Sequence, residues 1–329
     1  MRLVSTLQDN DSVISYSQVR AKQLRLKRNG ETYLRLVLGD RSGRIESKIW
    51  DRVEEIQKEI QAGDFVKYQG VVQTYNGRRQ MVINKIRKVR PEDSEAGFNP
   101  TELIPSTEYD IDEMWKSLYS LVLEHTSRPS IKQLLTQILD AHEEEIKSYP
   151  AGMEVHHGYG GGFLEHVLSV LKSALFFAGH YPDLDKDLLI AGAVLHDIGK
   201  LEELSGPDNP VYTTRGQLIG HVVMGFELVR KEAARIPEFP PTLLTLLEHL
   251  ILSHQGQLEW GSPQPPKLPE ALILHYLDDL DAKVNRFSQV LKEDPGDLDF
   301  TAYDRLLGRA VFKGGYDEPS SRRANPDDA

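Results

Sequence analysis

The sequence predicts a two-part chain, a small closed β-barrel followed by an all-α helical bundle. Three observations carry that prediction. Residues from about 12 to 90 alternate apolar and polar with a period of two, broken by one helical stretch. A polar, Pro-containing stretch at 91–106 follows. From there almost to residue 311, apolar residues recur at helical spacing. A chain of 329 residues is long enough for two or three domains, and 40% hydrophobic with 27% charged residues is ordinary for a soluble globular protein.

The strands come first. Tyr33-Leu-Arg-Leu-Val-Leu alternates in part, and Arg44 to Trp50 alternates cleanly with Ile45 and Ile49 on one face. Asn29-Gly30 and Asn76-Gly77 are hairpin-type turns between such runs. Val53, Ile56 and Ile60 then recur at helical spacing, so a short helix interrupts the strands. Phe65-Val-Lys-Tyr-Gln-Gly-Val-Val restarts them, and Arg79-Gln-Met-Val-Ile-Asn-Lys-Ile closes the set. Three strands, a helix and two more strands make the layout of an OB-fold, a barrel that often binds oligonucleotides.

The expected organisation is an OB-like domain at 1–90, a linker at 91–106 and a helical region at 107–312 with its core at 150–290. Helices are expected at about 109–126, 128–147, 163–180, 186–197, 215–235, 241–254, 267–290 and 300–311. Lys313 to Ala329 is rich in Gly, Pro, Ser and Asp and is expected to be a disordered tail.

The net charge of −11 hides an asymmetry. Residues 1–90 hold 19 Lys and Arg against 10 Asp and Glu, whereas the remainder holds 20 against 40. A basic first segment on an acidic body suggests that the first segment handles a polyanion. Arg25, Lys27, Arg28, Arg35, Arg44, Lys48, Arg78, Arg79 and Lys85 are candidates to follow a phosphate backbone, and Tyr33, Trp50, Tyr68 and Tyr75 to stack bases. With no cysteine in the chain, disulfides and thiolate–metal sites are excluded, so any metal rests on His, Asp or Glu. The first ten residues lack the apolar core of a signal peptide, and no run approaches the roughly 18 apolar residues of a membrane span. A cytoplasmic protein without membrane partners is expected.

The chemistry is announced by Leu195-His196-Asp197-Ile198-Gly199-Lys200. Here a His-Asp pair ends a wholly apolar helix that begins at Leu188. Burying an unpaired carboxylate costs several kcal/mol, so Asp197 needs a strong partner, and a metal ion is the expected one. Downstream, His254 continues the Leu243, Leu247, Leu250 stripe, whereas His249 lies about 100° from Leu250 on the same wheel. His221 shares a face with Leu218, Met224, Gly225 and Leu228, and Asp278 follows Ala271 and Leu274. His166 lies on the face of Phe163 and Val170, just after Tyr159-Gly-Gly-Gly. Each polar side chain takes a place where a bundle helix normally offers Leu. Imidazole and carboxylate suit manganese, iron, cobalt, nickel or zinc.

Lys200 is expected to meet the developing charge on a phosphate oxygen, with Gly199 letting the chain turn off the helix to bring it there. His156 and His157 are candidate donors to the substrate phosphate or its leaving group. Arg215 and Gln217 are candidate phosphate contacts, and His275 a candidate for orienting a ligand from outside. Glu202 and Glu203 read as a solvated face.

The order His166, His196-Asp197, His221, His254, Asp278 resembles the HD superfamily of metal-dependent phosphohydrolases over about residues 150–290. That resemblance implies one ion on His166, His196, Asp197 and Asp278. It implies a second on His221 and His254, bridged by Asp197, and a role for Lys200 at the phosphate. Two ions about 3.5–4 Å apart can hold a bridging hydroxide and stabilise both attacking and leaving oxygens. An OB-like segment before such a domain resembles the YhaM-type 3′→5′ exoribonucleases. So do the stretches Val155-His-His-Gly-Tyr-Gly-Gly-Gly-Phe-Leu-Glu-His166 and Leu195-His-Asp-Ile-Gly-Lys-Leu-Glu-Glu-Leu. This resemblance implies metal-dependent removal of nucleotides from the 3′ end of single-stranded RNA, with single-stranded DNA as a further substrate. The expected cofactor is a pair of divalent ions, manganese first. Polarity and a homo-oligomeric state follow from the resemblance alone. Two other readings are a phosphohydrolase of mononucleotides or cyclic and signalling nucleotides with a regulatory barrel, and a non-catalytic nucleic-acid-binding protein.

Overall fold

In the computed structural model, residues 2–27, 30–75, 78–100, 103–104, 106–152, 158–207, 210–294 and 298–314 are described. The expected disordered tail therefore lies, from residue 315 onward, outside the described residues. The first part is a closed barrel of β1 (Ser12–Leu26), β2 (Thr32–Asp40), β3 (Gly43–Ile49), β4 (Phe65–Tyr75) and β5 (Arg78–Lys88), with helix α1 (Val53–Glu59) between β3 and β4. Neighbours run in the order β1-β2-β3-β5-β4, and only the β3–β5 pairing that helps close it is parallel. Period-two alternation puts Leu34, Leu36 and Leu38 of β2 inside with Ile45, Ile49, Val66, Val72 and Met81. α1 adds Val53 and Ile56 to that core. β4 has a bulge at Gly70, where a side chain would stand 2.7 Å from the Val82 carbonyl, so only glycine fits.

The polar stretch after the barrel is not free of it. Asp93 accepts from both Arg87 guanidinium nitrogens at 2.6 and 2.8 Å, and from Lys67 at 3.1 Å. Arg87 holds its carboxyl well below the usual range. Phe98 packs on Tyr16 and Phe65, with ring centroids 5.3 and 5.7 Å away. The first half of the expected linker is thus docked on the barrel.

The second part is helical: α2 (Ile111–His125), α3 (Pro129–Ala141), α4 (Glu143–Ser148), α5 (Gly162–His180), α6 (Lys186–Leu195), α7 (Lys200–Glu203), α8 (Thr214–Ile219), α9 (His221–Ala233), α10 (Pro241–Ser253) and α11 (Pro269–Glu293). α6 is the axle, buried from Asp187 to Leu195 against α3, α5, α10 and α11. A helix that is apolar on every side must be surrounded. α5, at 19 residues, is long and apolar enough to cross a membrane, contrary to the expectation that no run approaches that length. Half of that stretch is buried within the bundle.

Two expected helices are split. The 128–147 span breaks at His142 (φ −126°, ψ 20°), and the 215–235 span at Gly220, whose φ of +79° favours glycine. The helix expected at 300–311 does not form. Asp304 instead accepts from the Leu306 and Leu307 amides and pairs with Arg286, while Phe300 and Asp304 bridge to Phe312 and Arg309. Its carboxylate takes the N–H groups a helix would use, and Gly308 turns the chain at φ +64°.

Candidate metal centre and nucleic-acid face

Five segments converge on one buried cluster. His166 lies in the second turn of α5, His196 and Asp197 follow α6, His221 opens α9, His254 ends α10, and Asp278 lies inside α11. His166, His196, Asp197 and His254 are completely buried. His166 Nε2 stands 3.1 Å from His196 Nε2, 3.3 Å from Asp278 Oδ1 and 3.7 Å from Asp197 Oδ2. His196 Nε2 is 3.5 Å from the same Asp197 oxygen. The other Asp197 oxygen, Oδ1, lies 3.4 Å from His221 Nε2 and 3.6 Å from His254 Nε2. One carboxylate therefore joins two groups of donors, His166–His196–Asp197–Asp278 and Asp197–His221–His254.

The ring tautomers are set from outside. His166 Nδ1 donates to Asp281 Oδ2 at 2.7 Å, and Asp281 Oδ1 accepts from the Ser169 hydroxyl. His196 Nδ1 donates to the Ala193 carbonyl at 3.1 Å, and His254 Nδ1 to the Ile251 carbonyl at 2.7 Å. Glu203 Oε1 accepts from both the amide and Nδ1 of His221, at 2.9 and 3.2 Å. With Nδ1 acting as donor, each ring turns an Nε2 lone pair inward, the form that binds a cation. When both rings are neutral, His166 and His196 present lone pairs to each other across 3.1 Å, a gap that a proton or a cation fills. Asp197 Oδ1 is buried without a hydrogen-bond partner among the described residues. A divalent cation satisfies all these atoms, so the donor set fits one.

Charge follows the same geometry. Burial opposes ionisation of Asp197, but the Lys200 ammonium, 2.5 Å from Oδ2, and His196 outweigh it and hold the carboxyl well below its usual range. Burial likewise opposes charge on Lys200, and Asp197 more than offsets it, so the lysine is raised. Burial opposes charge on His166, yet hydrogen bonds to Asp278 and Asp281 raise it to about 9 in the absence of a cation.

The remaining expected residues fall differently. Lys200 is bound to the central aspartate. Gly199 does not turn the chain off the helix: its backbone is helical (φ −65°, ψ −17°), and it opens α7. Its function is to let α9 lie against it, since a side chain here would stand 2.1 Å from the His221 carbonyl oxygen. Glu203, read as solvated, is buried beneath His221, while Glu202 pairs at the surface with Arg215. Arg215 is also held by Glu227, and Gln217 is exposed. His275 donates Nδ1 to the His254 carbonyl at 2.9 Å. His249 faces away, accepting from the Lys267 amide. His156 and His157 lie outside the described residues. Sequence reasoning missed Asp281 and Glu203. The spacing of Asp281 from Asp278, one turn of α11, was a usable signal.

On the barrel, Tyr33 and Trp50 pair with ring centroids 4.8 Å apart, with Lys27 above Trp50 at 5.1 Å. Lys48 lies over the exposed Tyr75 ring at 5.4 Å. Arg25 stands beside Tyr33 in the β1–β2 register, and Arg35 is beside Lys48 and bound to Glu46. These residues form a basic, aromatic outer face on β1, β2 and β3 and the end of β4. Arg44 is exposed at the start of β3 and Lys85 on β5, whereas Arg79 donates to the Leu7 carbonyl. Tyr68 was expected among the stacking residues, but it is 1% exposed because it alternates with Val66 and Val72 into the core. Arg28 and the side chain of Arg78 lie outside the described residues.

Comparison with known proteins matches residues 163–283 to the HD domain and residues 17–89 to an OB-fold nucleic acid binding domain. A curated relative, the 3′-5′ exoribonuclease YhaM of Bacillus subtilis, is 37% identical over 305 residues, covering 92% of this chain and 95% of the relative. Among solved structures, the second OB-fold domain of replication protein A from Methanococcus maripaludis matches 27% of this chain and 94% of its own, with 21% identity and a TM-score of 0.23. A mitochondrial single-stranded DNA binding protein of S. cerevisiae, Rim1, matches 25% of this chain and 98% of its own, with 11% identity and a TM-score of 0.22.

Proposed function

Because this chain belongs to the family of YhaM-type 3′→5′ exoribonucleases, we propose that it shortens single-stranded RNA from the 3′ end at the buried cluster around Asp197. It is a metal-dependent hydrolase with an HD domain and an OB-fold nucleic-acid-binding domain. The observation that carries the site assignment is Asp197 itself. One of its oxygens is buried with no hydrogen-bond partner among the described residues, between two inward imidazole nitrogens, while the other serves a second set of donors.

In this reading His166, His196, Asp197 and Asp278 hold one divalent ion and Asp197, His221 and His254 a second, with manganese the proposed metal. Bound there, the ions supply positive charge that acidifies water and neutralises phosphate oxygens. The chain prepares the rest. Asp281, the Ala193 and Ile251 carbonyls and Glu203 hold the Nδ1 protons, which keeps every Nε2 lone pair aimed inward. Lys200 keeps Asp197 ionised, and its position beside that carboxylate suits it to meet a phosphate oxygen. The face around Tyr33, Trp50, Lys48 and Tyr75 holds the strand by stacking and by phosphate contacts.

The test is a gel time course on 5′-labelled single-stranded RNA and DNA with manganese, magnesium, cobalt or chelator, using Asp197→Ala as control. A metal-dependent ladder that shortens from the 3′ end and is absent in the variant is the expected result. Intact oligonucleotide in every metal, with turnover of small nucleotides, would move the substrate to that class.

A further inference from the structure

Among the described residues the second donor group has three His or Asp members, Asp197, His221 and His254, and the residue after His254 lies beside two of them. The Gln255 side-chain amide lies 3.0 Å from His254 Nε2 and 3.4 Å from His221 Nε2. We propose that Gln255, through its amide oxygen, is the fourth protein ligand of the second ion. This rests on the two-ion reading of the site.

Both imidazoles are fixed as Nδ1 donors, His254 to the Ile251 carbonyl and His221 to Glu203. Their Nε2 atoms are therefore acceptors, and without a cation the amide NH2 of Gln255 faces them. The nitrogen and oxygen ends of a carboxamide exchange by a half-turn about its last bond. That half-turn brings the oxygen to the same place when a cation occupies the group. The distances suit it. Donor atoms each about 2.1 Å from one ion stand about 3.0–3.4 Å apart in octahedral or tetrahedral arrangements. The Gln255 amide stands 3.0 and 3.4 Å from the His254 and His221 Nε2 atoms, which in turn stand 3.6 and 3.4 Å from Asp197 Oδ1.

The backbone holds the amide there. Gly256 turns the chain at φ +77°, and a side chain at that position would stand 2.3 Å from the His275 ring. His275 in turn donates to the His254 carbonyl at 2.9 Å. The turn that carries His254 and Gln255 into the cluster is thus pinned on both sides.

The test is calorimetric titration of manganese into the full-length, chelator-stripped protein, with electron paramagnetic resonance counting coupled and isolated ions. The wild type is expected to take up two ions and give a coupled-pair signal. Gln255→Ala should retain the first ion and weaken the second on the order of 10- to 100-fold. Gln255→Glu, which keeps an oxygen donor, should restore it. Two ions bound by Gln255→Ala with unchanged or tighter affinity would overturn the proposal, showing an amide that merely caps the site. A single ion in the wild type would overturn the two-ion reading and this proposal together.

Discussion

Replacing Gly199 by alanine is expected to damage both the fold and the site of this protein. The added methyl group would stand 2.1 Å from the His221 carbonyl oxygen and 2.5 Å from the Gly225 amide nitrogen. Ordinary contacts to a methyl carbon begin at 3.4 Å, so the start of α9 must retreat by more than about 1 Å. Overpacking a rigid contact costs about 1–3 kcal/mol, and a clash with backbone on a neighbouring helix belongs at the upper end. A loss of about 3 kcal/mol lowers the folding equilibrium constant roughly 100-fold. The same retreat moves His221 Nε2, now 3.4 Å from Asp197 Oδ1, away from its group. Urea unfolding of the stripped protein measures the first effect, and manganese titration the second. A variant within 0.5 kcal/mol of wild type that binds two ions normally would refute the argument that glycine is needed for close approach of α9.

Three other outcomes follow from the same geometry. Asp281→Ala frees the Nδ1 proton of His166 and should weaken the first ion on the order of 10- to 100-fold in calorimetry, with Asn recovering part of the loss. Trp50→Ala removes an exposed stacking ring and should weaken single-stranded RNA binding, measured by fluorescence anisotropy, by about 1–3 kcal/mol while leaving dinucleotide hydrolysis intact. Manganese at about 100 times its dissociation constant should stabilise the folded chain by about 2.7 kcal/mol in thermal melts. Chelator should reverse the gain, and Asp197→Ala should lack it.

What the sequence made legible was decided by contrast. His166, His196, Asp197, His221, His254 and Asp278 stood out because each interrupts a stripe of aliphatic residues, and the structure brings all six together. The residues that orient them had no such contrast. Glu203 sits beside Glu202 in a pattern that reads as a solvated face, and only the fold shows that one is buried beneath His221 while the other pairs with Arg215. Asp281 lies among Asp278, Asp279 and Lys283, where charge is unremarkable on a long helix. The barrel was legible from its period of two and its interrupting helix. Tyr68 has the aromatic chemistry of a stacking residue, but its place on the face of Val66 and Val72 puts it in the core. The helix expected at 300–311 failed for a local reason, the capture of two backbone amides by Asp304.

The most direct test of the two-ion account is anomalous diffraction from crystals grown with manganese. Two anomalous peaks about 3.5–4 Å apart are expected with the Asp197 carboxylate between them, one beside His166, His196 and Asp278 and the other beside His221 and His254. A single peak, or none in contact with Asp197, would contradict it.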